Sequence, residues 1–95
     1  MEISVNQNRA IILGNIKSVS DFQEIKTKID LMVTSQKDIV VDIKESLSIT
    51  SSVIGYFNKL ILKDKIRVTM NIGNKQLFEL LDDLSLRSVF NAKKV

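Results

Sequence analysis

Three consecutive hydroxyl residues, Thr50, Ser51 and Ser52, stand directly before the apolar run VIGYFNKL. Hydroxyls at that point can do two things. One accepts a hydrogen bond from a backbone N–H two or three residues on and so caps a helix, which stabilises it by about 1 kcal/mol. Another can carry a phosphate, because a helix N-terminus presents unpaired N–H groups and partial positive charge. A single cap needs a single hydroxyl, and any of the three could supply it.

Little else in the chain can do covalent chemistry. It has no Cys and no His, which removes thiol nucleophiles, imidazole bases and the usual zinc ligands. The three glycines stand at 14, 55 and 73, too far apart for a phosphate-cradling loop. No calcium-loop pattern of alternating carboxylates occurs. Asp82 and Asp83 are adjacent, and adjacent residues on a helix point apart, so they read as a solvated face. Tyr56 reads as a helix-face residue with its hydroxyl at the surface. Glu45, Ser46 and Ser48 read as turn residues, and Met32 and Met70 as core fillers. The expectation is a protein that is not an enzyme and carries no cofactor or metal.

The elements that hold these residues alternate in type. Segment 2–16 contains two β-like runs, Ile3 with Val5 and Ala10 to Leu13, joined by a turn at 6–8. Segment 20–34 has helical period through Phe22, Ile25, Ile29, Met32 and Val33, with Ser20 and Gln23 as a capping box. DIVVDI (38–43) is β-branched and apolar on both faces, the pattern of a central strand buried on both sides. Segment 51–63 is helical, with Val53, Phe57, Leu60 and Ile61 on one face and Ile54 widening it. IRVTMNI (66–72) alternates strictly and reads as a strand covered on one side, at or near a sheet edge. Asn74 caps a third helix with Leu77, Leu80, Leu81 and Leu84 as its stripe. Leu86, Val89 and Phe90 dock, and NAKKV (91–95) reads as a frayed tail.

The order β-β-α-β-α-β-α predicts an α/β fold: a mixed sheet of about four strands, with three helices packed mainly on one face. The 95 residues are expected to form one domain, 1–95. Composition is ordinary for a globular protein, with 44% hydrophobic and 26% charged residues. The net charge of +3 is spread among interspersed acids, and aromatics are few, so no nucleic-acid footprint is expected. No apolar run is long enough to insert in a membrane and no signal-peptide pattern opens the chain, so the expected location is cytoplasmic.

This order of elements, with four short motifs in place, resembles the STAS domain of bacterial anti-sigma factor antagonists. GNIK (14–17) stands where that family has Gly-Glu-Leu-Asp. TSSVIG (50–55) stands where it has Asp-Ser-Ser/Thr-Gly-Leu-Gly. IRVTMNIGNKQLFELL (66–81) fits the family's next strand and short helix. LDDLSLRSVF (81–90) matches its closing Leu-x-x-x-Gly-Leu-x-x-x-Phe pattern. The resemblance implies a phosphoacceptor at Ser51. It implies an anti-sigma factor serine kinase and a phosphatase as partners, with the unphosphorylated form binding the kinase and freeing the sigma factor. It also implies that the loop after the second strand lies beside the 50–57 helix start. Lys17, Thr50, Ser52, Val53 and Ile54 would then share one partner-binding surface with Ser51, and Lys17 could pair with the phosphate or with an acidic partner. The chain departs from the motif at Thr50 (Asp in the family), Val53 (Gly), Asn15 (Glu), Lys17 (Asp) and Ser85 (Gly). The same fold also serves as an unphosphorylated adaptor, for example beside transporter ATPase subunits, and that is the alternative expectation.

Overall fold

The computed structural model describes residues 1–95. The elements are β1 (Glu2–Asn6), β2 (Arg9–Leu13), α1 (Val19–Met32), β3 (Asp38–Ile43), α2 (Ser51–Leu62), β4 (Arg67–Ile72), α3 (Lys75–Asp83) and β5 (Ala92–Lys94). They form one five-stranded sheet in the order β1-β2-β3-β4-β5. β1 pairs antiparallel with β2, and every later neighbour is parallel. The fold is therefore α/β with a mixed sheet and three helices, as the alternation of elements requires.

The strand order explains where the helices lie. Each parallel crossover moves one strand in the same direction, and crossovers are right-handed. Successive helices therefore land on the same face. The burial pattern follows: Ile39, Val41 and Ile43 of β3, and Val68, Met70 and Ile72 of β4, point into the core. The intervening residues look out on the other face. β3 is central, yet it is not apolar-covered on both sides. Val40 is half-buried there, and Asp42 is held by Arg9 and by Asn71, whose Nδ2 donates to it at 2.8 Å. The β-branched run of β3 hides this because Asp42 stands between Val41 and Ile43, whose apolar side chains belong to the core face.

The fifth strand corrects the expected frayed tail. Ala92 is buried, and Val95 N–H donates to Ile72 C=O at 3.0 Å. An edge strand needs only one inward-facing residue and one paired backbone edge, so its sequence carries little apolar signal. Phe90, fully buried, anchors it and ends an edge-on series of rings running Phe22, Tyr56, Phe57, Phe90.

The helix ends are fixed by local hydrogen bonds. The N-cap of α1 lies two residues before the expected Ser20: Ser18 Oγ accepts from Asp21 N–H at 3.0 Å, and the Asp21 carboxylate accepts from Ser18 N–H. Asp21 makes the better partner because its carboxylate also accepts from Lys17 N–H at 3.0 Å. That bond from Lys17, with those from Ser18, holds the Asp21 carboxyl below the usual carboxylate range. Asn74 caps α3 as expected, accepting from Leu77 N–H at 3.1 Å. α3 stops at Asp83, one residue short of the expected stripe, so Leu77 and Leu81 are buried while Leu84 is exposed. No helix is long and apolar enough to cross a membrane.

Candidate functional site

The loops that follow β2 and β3 leave the sheet side by side, because these strands are parallel neighbours. Gly14, at φ +85°, turns the first loop, a conformation that suits glycine. The second loop is stitched to it. Ser46 is fully buried, and its Oγ accepts from Ile16 N–H at 3.0 Å while donating to Ser48 C=O at 2.6 Å. Leu47 N–H donates to Asn15 Oδ1 at 2.9 Å, and Ser48 Oγ donates to Ile16 C=O at 3.3 Å. Ser46 and Ser48 are thus structural ties between two loops, not turn residues alone. The sequence offered only their local spacing; their partners lie about thirty positions away.

This stitching brings Lys17 and Ser18 to the start of α2. With Val19, Phe22, Gln23, Thr50 and Ser52 they line a cleft of about 300 Å³. Thr50 is the N-cap: its Oγ1 accepts from Val53 N–H at 3.3 Å. The cap is thereby assigned, and Ser51 and Ser52 have no part in it. Ser51 is the first residue of α2, exposed, beside the cleft rather than among its lining residues. Val53 is fully buried in the core, and Ile54 is half-buried against it. Of the six residues expected on one surface, Lys17, Thr50 and Ser52 line the same cleft and Ser51 adjoins it. Val53 faces inward and supports the helix from below.

The start of α2 carries partial positive charge of its own, while the Asp21 carboxylate lies against the Lys17 and Ser18 backbone at the start of α1. No acidic residue lies in the first turn of α2, and Lys17 flanks it. One turn beyond Ser51, on the same exposed side, stands Gly55. A Cβ at Gly55 would meet nothing within 4 Å. Glycine inside a helix costs about 1 kcal/mol relative to alanine, and no contact within the chain calls for it here.

Tyr56 lies elsewhere than expected. It is buried against α1, and its hydroxyl donates to Asp30 at 2.6 Å. Burial, then the hydrogen bond to the Asp30 carboxylate, pushes the phenol pKa far up. Burial alone would raise the Asp30 pKa, but the bonds from Lys26 and Tyr56 outweigh it and hold that carboxyl below its ordinary value. The signal was present: Tyr56 precedes Phe57 on the apolar side of α2, four residues before Leu60. Asp82 and Asp83 are exposed on α3. No three Asp, Glu, His or Cys side chains converge on a point that could hold a metal ion.

No protein-family model, no curated protein and no solved structure matches the chain.

Proposed function

We propose that this chain is a non-enzymatic regulatory module that binds a protein partner through the 50–57 start of α2 and the 14–19 loop. In this reading it is an anti-sigma factor antagonist or a related partner-switching component, controlled by reversible phosphorylation of Ser51. The observation that carries the reading is the division of labour among the three hydroxyls. Thr50 takes the cap, which leaves Ser51 exposed on a helix N-terminus next to the cleft that Lys17 lines. A phosphate of roughly −1.5 to −2 charge is compatible with that position, so modification would alter the surface and spare the fold. Gly55 adds support: a bare helix turn beside Ser51 lets a partner approach the backbone closely.

The second reading is a constitutive adaptor subunit of a larger complex, without phosphorylation. Lys17 favours it, since a lysine there can meet an acidic partner directly and the first turn of α2 holds no acid to repel one.

Two measurements test the proposal. Intact mass of the protein from its own cells should show a species heavier by about 80 Da, the mass of an added phosphate, and Ser51→Ala should abolish it. The protein captured by the immobilised wild-type chain should be lost with Ser51→Asp and retained with Ser51→Ala. Capture that survives Ser51→Asp, with no heavier species, removes the switch and leaves the adaptor. Capture unaffected by both Ser51→Asp and Lys17→Glu removes this surface from either reading.

A further inference from the structure

The two edges of the sheet are built differently. β5 has three residues, two of them lysines, and the Ala92 N–H is already taken by Arg87 C=O at 2.8 Å. Short length and lysines are the usual protection against strand addition. β1 has five residues, EISVN, with no lysine, proline or bulge. Its backbone polarity can be read from its neighbour. Val40 N–H donates to Asn8 C=O, and Lys44 N–H donates to Ile12 C=O. Even-numbered residues of β2 therefore face β3, and Arg9, Ile11 and Leu13 face β1. Their register partners are Asn6, Ser4 and Glu2. Ile3 and Val5 are left with N–H and C=O groups directed at the open edge. Beside that edge Val5, Lys28, Leu31 and Met32 line a shallow groove of about 440 Å³, in which Val5 is 39% and Leu31 70% exposed.

We infer that the free edge of β1 pairs antiparallel with β1 of a second copy of this chain, joining two sheets into one of ten strands. Self-complementarity of the strand selects this occupant. A twofold axis at Ser4 sets Ile3 against Val5 of the second copy, and Val5 against its Ile3. These are the residues with open backbone groups, and each such pair exchanges two hydrogen bonds. Both pairs are apolar and lie on the helix-covered face, next to Leu31. Glu2 meets Asn6 of the second copy, so no like charges stand opposite one another. On α1, Lys28 flanks the groove and Glu24 lies one turn before it; an antiparallel copy sets this pair against its own reverse. A foreign extended peptide could use the same backbone groups, but nothing on β1 selects its side chains.

The chain has no cysteine, which allows a sharp test. Ser4 is exposed, and in the dimer it faces its own copy in a non-hydrogen-bonded pair with Cα atoms about 4.5 Å apart, within reach of a disulfide. Under mild oxidation Ser4→Cys should convert to a covalent dimer. Glu2→Cys should not, since its copy lies at the other end of the paired strand. By sedimentation across the micromolar range, the mass of the wild-type chain should double from 10.8 kDa. Val5→Lys should return it to the monomer with an unchanged circular dichroism spectrum. If Val5→Lys unfolds, Leu31→Glu on the exposed face of α1 serves in its place. A wild-type mass fixed at 10.8 kDa throughout, equal cross-linking by the two cysteine variants, or a dimer that persists in the folded Val5→Lys or Leu31→Glu chain overturns the inference.

Discussion

The Ser46 hydroxyl accepts the Ile16 N–H at 3.0 Å in a fully buried position, and this is the most deeply buried of the three side-chain bonds that tie the loop carrying Lys17 to the loop leading into Ser51. Both partners are inside the protein, so losing one leaves the other unsatisfied. Ser46→Ala strands the Ile16 N–H and should destabilise the chain by about 1–3 kcal/mol, read as a lower denaturant midpoint at unchanged slope. Amide exchange at Ile16 and Leu47 should accelerate beyond the global change, because the loops are then tied only by Asn15 and Ser48. Equal acceleration across all amides would show that this tie has no local role.

The hydroxyls at 50 and 51 should separate by stability. Thr50→Ala removes the cap of α2 and should cost about 1 kcal/mol. Ser51→Ala removes no intramolecular bond at an exposed site and should stay within about 0.5 kcal/mol of wild type. Chemical denaturation of the two variants checks the order. The reverse order would assign the cap to Ser51 and withdraw the structural basis for treating it as free.

How much of this the sequence made legible depended on whether a residue's role was local. The alternation in IRVTMNI and the stripe in 20–34 mark β4 and α1 because burial imposes its period on the residues themselves. The Asn74 cap was readable for the same reason, since its partner Leu77 is three positions away. Roles set by distant partners were hidden. Ser46 looks like a turn residue until β2 and β3 lie side by side. The burial of Tyr56 could be read from its place beside Phe57, but not Asp30 as the partner of its hydroxyl. β5 was hidden because pairing with β4 is made by backbone atoms, which every sequence has. The candidate site was legible as residue types at the start of a helix; which hydroxyl is committed to the cap depends on where the backbone turns helical, at Ser51.

Gly55 offers a test that separates fold from binding. With nothing near its missing Cβ, Gly55→Ala should stabilise α2 by about 0.5–1 kcal/mol. The same methyl group would stand on the surface proposed to meet a partner. The expected outcome is a higher melting temperature together with weaker capture of that partner. A variant that gains stability and keeps full binding would show that the bare turn is not used for contact.

The bond from Tyr56 to Asp30 should write itself into the pH dependence of stability. Asp30 has its pKa lowered in the folded state, so its contribution is present above the ordinary carboxylate pKa and is lost as pH falls below about 4. Tyr56 has its pKa raised, so its contribution is complete below about pH 10 and is lost as pH rises above that, where the unfolded phenol ionises first. Tyr56→Phe removes the hydroxyl and leaves the ring packed between Phe22 and Phe57. Near neutral pH it should cost about 1 kcal/mol, less than a buried charged hydrogen bond, because water can reach the Asp30 carboxylate. The stability difference between wild type and Tyr56→Phe should therefore form a plateau from about pH 5 to 9 and shrink on both sides. Tyr56 is the only tyrosine, so no other phenol contributes to the alkaline limb of that difference. Thermal unfolding of both proteins from pH 3 to 11, or about that span, measures it. A difference that does not change with pH would mean that the variant loses packing rather than the bond to Asp30.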